Sequence, residues 1–537
     1  MTSIPSLPRS GAGPEPVRLA HEITEVIPPL PPLSQPGVDG VTQPMNRPEV
    51  PRVPVAKPEP APRRGVRLRT VLLGALGAAM VTLGGIGAGG VLVHDPLLAD
   101  SGFSWVRFGH GKDLATAVLY GGLALIVLAW VRMGRDVWAG RTGTRGMLLA
   151  VAAWTIPLLV APPLFSRDIY SYLAQGMLAL QGYDPYQVGP SELTGPLLDN
   201  VSSLWQNTPA PYGPLFVLVA KAVVWVTGDS MIFGVVLMRL AMAGGLVLLC
   251  WSLPRLARRL GGKPALALWL AAANPITLVH LVGGPHNDLL MVGLLAAGVV
   301  FALEHRYVLG IVLVTLGVSV KASAVFVLPF LVWMWAAHLA EGSPRRRFVR
   351  AAGYGLSVFV TTFTLTMLAA GVGMGWLSSL GNSSAVINWL SLPTAVGQFA
   401  HGLVNIFVSV DGGWFLDVAR TTGMILLGAY GLRQWWLARQ GGPQALHRAA
   451  LVLLASCVLG PTVFPWYFSW ALALAAGFVW SGRAVVGLVA VSVWLLLVTY
   501  PTGDSALYDW TYLAGAFAVS ALAAVSLVRP DPLRLRS

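Results

Sequence analysis

Charge is what this chain has least of. Only 11% of its 537 residues are Asp, Glu, Lys or Arg and 55% are apolar, against roughly 25% charged in an average soluble domain. That shortage excludes a water-soluble globular protein. It leaves a polytopic membrane protein, because a helix crossing about 30 Å of hydrocarbon needs roughly 20 mainly apolar residues and must satisfy its backbone internally. Cysteine is nearly absent as well: Cys250 and Cys457 both fall in apolar segments, which excludes a disulfide framework or a CxxC metal site and makes them small core residues. No GxxxxGK loop or nucleotide fingerprint in a strand-helix setting occurs, so neither ATP nor a soluble nucleotide-sugar is an expected substrate, and no cofactor is expected. The net charge of +13 sits in short loops between apolar runs, where it signals topology. The expected partner is therefore the lipid bilayer, with no nucleic acid.

Residues 1 to 66 contain 16 prolines, show little apolar periodicity and lead into the basic run PRRGVRLR. Such a segment cannot bury enough apolar surface to fold and lacks the pattern of a signal peptide. It is expected to be a disordered cytosolic tail, with PPLPPL as a minor docking motif. Fourteen candidate spans follow at about 71–93, 114–132, 146–163, 231–252, 264–281, 289–304, 306–320, 322–340, 349–373, 416–437, 448–461, 465–480, 484–500 and 510–528. An even number puts both termini on one side, and the basic run before the first span places that side in the cytosol, residues 529–537 forming a short cytosolic tail. Outside residues 1–66 and their basic run, 20 Lys or Arg then fall in cytosolic loops, among them Arg132, Arg135, Arg141, Arg145, Arg255, Arg258, Arg259, Lys263, Arg345, Arg346, Arg347 and Arg350. Five lie outside: Arg107, Lys112, Arg167, Lys221 and Lys321. The apolar stretches 213–227 and 396–410 are short, and either one added as a span would invert the later loops. They are expected as interfacial or re-entrant helices of the outer loops 164–230 and 374–415.

This topology gathers the polar chemistry on the outer face: Asp168, the GYDPY loop, Tyr212 with Gly213 and Pro214, the GGPHND turn at 283–288, Lys321, Asn382 and Asn388, PWYFSW at 465–470, and Asp504. In SRDIYSYLAQGMLAL, Asp168, Tyr172 and Gln175 share one helical stripe while Ile169, Leu173, Met177 and Leu180 share the next. That pattern predicts an amphipathic helix on the outer leaflet with its polar stripe facing a cavity. An acid at a helix start also gains from the helix dipole, so the structural alternative for Asp168 is an N-terminal cap.

A carboxylate at the membrane surface suits a reaction on a lipid-linked substrate. Transfer of a sugar from a lipid phosphate to a hydroxyl needs one carboxylate to take the proton and cations to meet the departing phosphate. Asp168 fits the first role, with Asp184 in reserve, and Lys221, Lys321, Arg239 and His286 are candidates for the second. A charge at mid-membrane costs roughly 2.5 to 3.5 kcal/mol or more, so Arg239 is expected to have an anionic partner, either an internal carboxylate or the substrate phosphate. Lys321 is the first choice, because it sits at a tight outer turn between the uncharged Val320 and Ala322. Tyr170, Tyr172, Tyr183, Tyr186, Trp205, Tyr212, Trp389, Trp466, Tyr467 and Trp470 serve either as interface anchors or as stacking faces for sugars. His286, Asn287 and Asp288 are adjacent and do not point to one centre, so they read as a polar turn lining the cavity and not as a metal site. The expected substrate-binding set adds Arg167, Gln175 and Asp184.

Taken together, RDIYSYLAQG, GYDPYQVGP, PAPYGPLF, GGPHND, VKASAVFVLP and GPTVFPWYFSW resemble the polyprenol-phosphate-mannose-dependent α-1,6-mannosyltransferases of actinobacteria, over about residues 67 to 528. The resemblance implies a GT-C type bundle and an inverting transfer from polyprenyl-phosphate mannose. The acceptor would be a mannan or phosphatidylinositol-mannoside-type glycolipid in lipomannan and lipoarabinomannan assembly, with the active site on the outer (periplasmic) face of the cell membrane. It also implies an acidic base in the first large outer loop, and Asp168 is the matching position. Some relatives carry paired acids there, whereas this chain has Arg167 before a single Asp168. A polyprenyl-phosphate-arabinose-dependent arabinofuranosyltransferase and a lipid-linked sugar flippase are the alternatives.

Overall fold

The computed structural model describes residues 67–530 except 97, 99, 100 and 382–385. The proline-rich tail, Asn382 and residues 531–537 lie outside the described residues. Among the described residues the chain is helical, with a lone β-bridge between Thr499 and Ser505 and no strand. This is the all-α polytopic architecture that the composition demands.

Each of the fourteen apolar stretches coincides with a helical segment. Six helices among the described residues are long and apolar enough to cross a membrane alone: α1 (Leu68–Ala88), α2 (Gly109–Trp138), α6 (Met231–Leu260), α11 (Pro344–Ala370), α14 (Gly442–Leu459) and α17 (Trp510–Val528). A seventh, α7, is a broken pair, Pro264–Ala272 and Ile276–Gly283, bent by 50°. The others are shorter or less apolar: α3 (Thr144–Leu158), α8 (Asp288–Leu303), α9 (Tyr307–Val318), α10 (Leu328–His338), α13 (Gly413–Leu437), α15 (Phe468–Ala475) and α16 (Gly482–Leu497). Between them lie α4 (Asp168–Leu180), α5 (Pro214–Thr227) and α12 (Leu392–Asn405). The last two match the short stretches that the charge pattern assigns to the outer loops.

Small residues set how closely the helices approach, as expected where no hydrophobic effect drives helices together in lipid. A Cβ on Gly245 of α6 would lie 2.1 Å from the Leu289 carbonyl oxygen, and one on Gly293 of α8 would lie 2.3 Å from that of Gly245. This contact holds the first turn of α8, and hence Asp288, against α6. The break in α7 has a local cause. The first half turns from α to π at Leu268 and the second is π-helical throughout, and Asn274 bridges the gap: its Oδ1 accepts from the Ile276 N–H, while Nδ2 donates to Leu270 and Ser492. The first half is pinned by Trp269, which stacks on Trp130 at 4.8 Å and exchanges indole N–H to carbonyl bonds with it. π turns of this kind gather at functional sites.

α4 departs from its expected setting. It begins at Asp168 as predicted, yet ten of its thirteen residues are buried, from both stripes of the pattern. Packed against α5, α6 and the segments Pro190–Glu192 and Pro196–Asn200, it is an internal helix and not one lying free on the leaflet.

Candidate active site

The chain enters α4 through a forced turn. Phe165 adopts φ 59°, in the left-handed region that bulky residues avoid. It is held there by its own N–H donating to the Pro501 carbonyl at 2.9 Å, and the preceding Leu164 N–H donates to Gly283 at 3.3 Å. Two distant loops therefore fix the residue pair that follows. The Asp168 N–H donates to Ser166 Oγ at 3.1 Å. Arg167, not Asp168, occupies the cap position, and no backbone N–H bond to the Asp168 side chain is seen, so the capping alternative loses its geometric support. The carboxylate keeps 23% of its surface accessible, with Oδ2 3.7 Å from Nε2 of the fully buried His286. Burial pushes the Asp168 carboxyl up to about 6, with Asp288 adding to the rise and the Lys321 ammonium and Ser166 hydroxyl opposing it.

Lys321 is not the free cation that its sequence neighbours suggest. Its Nζ donates to both oxygens of Asp288, at 2.9 and 2.8 Å. Asp288 is fully buried and also accepts from the Trp470 indole N–H at 2.6 Å. The ammonium stands over the rings of Tyr467, at 4.5 Å, and Trp470, at 5.4 Å. Gly213 brings the PAPYGP turn against this pair, because a Cβ there would lie 2.4 Å from the Ser319 carbonyl oxygen. Tyr212 is thereby set edge-on to Tyr172, at 5.2 Å. Trp466 stacks on His286 at 3.7 Å. Asp168, Tyr172, Tyr212, His286, Asp288, Lys321, Trp466 and Tyr467 thus form one cluster built from five separate stretches of chain.

Other expected members play structural parts. Arg239 has no carboxylate partner among the described residues, which removes the internal carboxylate from the two anionic partners expected for it. Its Nε, Nη1 and Nη2 donate to the carbonyls of Val282, Leu159 and Gly283 at 3.0 to 3.1 Å, groups at the end of the π-helical half of α7 and the end of α3. Arg167 likewise spends its donors on Asn200 and the Val91 carbonyl, tying the segment around Asn200 to the chain just beyond α1. Asp184 caps its own turn, accepting from the Tyr186 N–H and Gln187 Nε2. Tyr186 is buried and its carbonyl accepts from Ser379 Oγ, while Tyr183 is exposed. Lys221 is half-buried on α5 with no hydrogen-bond partner among the described residues. The side chain of Asn287 and Oε1 of Gln175 are buried without a protein partner, which marks both as groups able to meet substrate polar atoms.

Sequence reasoning missed two residues, Ser166, which sits two places before Asp168 and bonds to it, and the fully buried Asn200, which accepts from Arg167. It named Trp470 as an anchor or a stacking face, and the structure gives that indole a further part as a donor to Asp288. No three His, Cys, Asp or Glu side chains converge on a metal-sized centre among the described residues.

Comparison with known proteins bears on what such a cluster does. Residues 71–337 match the family described as "Alpha-(1->6)-mannopyranosyltransferase, N-terminal domain", and residues 393–529 match the MptB C-terminal domain. Alpha-(1->6)-mannopyranosyltransferase A of Mycobacterium tuberculosis is 42% identical over 84% of this chain and 88% of its own length. The protein of the same name from Corynebacterium glutamicum is 33% identical over 83% of this chain and 96% of its own. Alpha-(1->6)-mannopyranosyltransferase B of the latter organism is 29% identical over 80% of this chain and 76% of its own. No solved structure matches.

Proposed function

This chain belongs to the alpha-(1->6)-mannopyranosyltransferase family, and from that premise we propose that it transfers mannose from polyprenyl-phosphate mannose to an α-1,6-mannan or phosphatidylinositol-mannoside-type glycolipid at the outer face of the cell membrane, with inversion and with Asp168 as base. The observation that carries the reading is one accessible carboxylate beside a buried imidazole, with the Lys321 ammonium near enough to act on its charge. In the step, the acceptor's 6-hydroxyl gives its proton to Asp168 as its oxygen bonds to the mannosyl C1. The bond from C1 to the phosphate oxygen breaks, and its electron pair leaves with the lipid phosphate.

Lys321 serves the departing phosphate. An ammonium has three N–H donors; Asp288 takes two directions and leaves one for a phosphate oxygen, while the paired carboxylate keeps the ammonium in place in the substrate's absence. Arg239 and Arg167, with their donors committed to carbonyls, are supports and not ligands. Gln175 and Asn287 are the groups best suited to sugar hydroxyls, and Tyr172, Tyr212, Trp466 and Tyr467 form the walls. Membranes containing the chain should convert labelled polyprenyl-phosphate mannose and a short α-1,6-mannoside into a longer mannoside. Transfer from polyprenyl-phosphate arabinose alone, or movement of the lipid across the bilayer without transfer, would replace this reading with an arabinosyltransferase or a flippase.

A further inference from the structure

The ring of His286 is fixed so that one particular atom faces Asp168. Its Nδ1 lies 2.7 Å from the His280 carbonyl oxygen, which can only accept, so Nδ1 carries a hydrogen. Trp466 covers one face at 3.7 Å, and a Cβ on Gly284 would lie 3.3 Å from His286 Cε1 and 2.4 Å from the Leu164 carbonyl oxygen, so the chain passes tightly beside the ring. The ring is fully buried, and Nε2 has no hydrogen-bond partner although it points at Asp168 Oδ2 across 3.7 Å. Burial, with the Lys321 ammonium nearby, holds its pKa well below the ordinary histidine value, so the ring is neutral and Nε2 presents a bare lone pair.

Two acceptors then face each other while Asp168 is ionised. They become a hydrogen-bonded pair once Asp168 carries a proton, after a shift of about 1 Å to ordinary hydrogen-bond distance. We propose that His286 is a positioning residue for Asp168, its Nε2 accepting a hydrogen bond from the Asp168 carboxylic acid formed when Asp168 takes the acceptor's proton. The lone pair disfavours the carboxylate and stabilises the acid, so it makes Asp168 a stronger base without touching substrate. When the product leaves, the same proton returns to solvent through the accessible side of Asp168. The inference rests on the reading of Asp168 as base. The other charged and titratable groups facing the pair are Lys321, Asp288, Tyr172, Tyr212 and His280.

Two variants separate this role from mere packing. His286→Gln offers an amide that rotates to donate to the carboxylate, and Trp466→Leu admits water to the ring, so that it protonates and donates. Both should move the acidic limb of kcat/KM down by about one pH unit or more. A second readout needs no turnover: dicyclohexylcarbodiimide labels the protonated form of a buried carboxyl, and the pH midpoint of Asp168 labelling in purified full-length protein, read by mass spectrometry, should fall by the same amount. A labelling midpoint that is unmoved in both variants overturns the proposal. If Asp168→Asn retains turnover, it is the assignment of the base that fails, whatever the midpoints show. If Asp168→Asn is inactive and the midpoints stay put, only the role of His286 fails.

Discussion

Replacing Lys321 with Gln tests two things at once, and the structure says how to separate them. The ammonium is the partner of a fully buried carboxylate, 2.8 to 2.9 Å from both oxygens of Asp288. Removing one member of a buried pair strands the other and typically costs about 3 to 5 kcal/mol. Among the described residues Trp470 would remain as the only donor to Asp288, so Lys321→Gln is expected near the upper part of that range, a large fraction of the about 5 to 15 kcal/mol that holds a typical folded protein together. Loss of activity in this variant alone would therefore not identify a phosphate ligand. The double variant Lys321→Gln with Asp288→Asn exchanges the ion pair for an amide pair and should recover most of the stability, because buried pairs often contribute little net. Thermal unfolding of the purified proteins, followed by tryptophan fluorescence, measures this recovery, and turnover with the lipid-linked donor measures the rest. If Lys321 meets the departing phosphate, the stable double variant stays slow by roughly 10²- to 10³-fold, the usual consequence of losing one donor to developing charge. A double variant that regains both stability and turnover would refute the catalytic role and leave Lys321 a structural partner of Asp288.

Arg239→Lys should destabilise the protein by about 3 kcal/mol or more, because a point charge cannot reach three buried carbonyls that a planar fork satisfies together; an unchanged melting temperature would contradict the clamp. The rate of the parent protein should fall as pH drops through about 6, since Asp168 must be unprotonated to accept a proton and burial raises its pKa to that value; a flat profile down to pH 5 would remove Asp168 as the titrating base. With Cys250 and Cys457 replaced by Ala, a cysteine placed at exposed Arg258 or Arg346 should resist impermeant thiol reagents in intact cells, and strong labelling at either would invert the topology.

The sequence made the helices legible because lipid leaves few alternatives: apolar runs of span length coincide with helices, and the single carboxylate before a two-stripe pattern marks the start of α4. The short runs 213–227 and 396–410 likewise overlap helices, α5 and α12. Partnerships were not legible. Lys321 and Asp288 are 33 residues apart, and nothing in either neighbourhood indicates that α8 and the turn before α10 bring them together. Arg239 was expected to need an anion because an unpaired charge at mid-membrane is costly; the carbonyls it uses instead lie at the ends of α3 and α7, where helix carbonyls lack intrahelical partners, and hydrophobic periodicity does not show that these two ends meet at Arg239. The burial of α4 was missed for a related reason, since its covering comes from α5 and the outer loops and not from its own sequence.

The central claim is that Asp168 takes the acceptor's proton, and Asp168→Asn addresses it with little collateral change. No backbone N–H bond to the side chain is seen, and the group is partly accessible, so the folded protein should tolerate the amide. Turnover should be lost by roughly 10²- to 10⁴-fold, the usual contribution of a positioned general base. The measurement is mannosyl transfer from labelled polyprenyl-phosphate mannose to a short α-1,6-mannoside, in membranes where the variant is shown to be inserted at the parent level. Loss of product formation with unchanged insertion is the predicted result. Turnover within a few-fold of the parent would contradict the account.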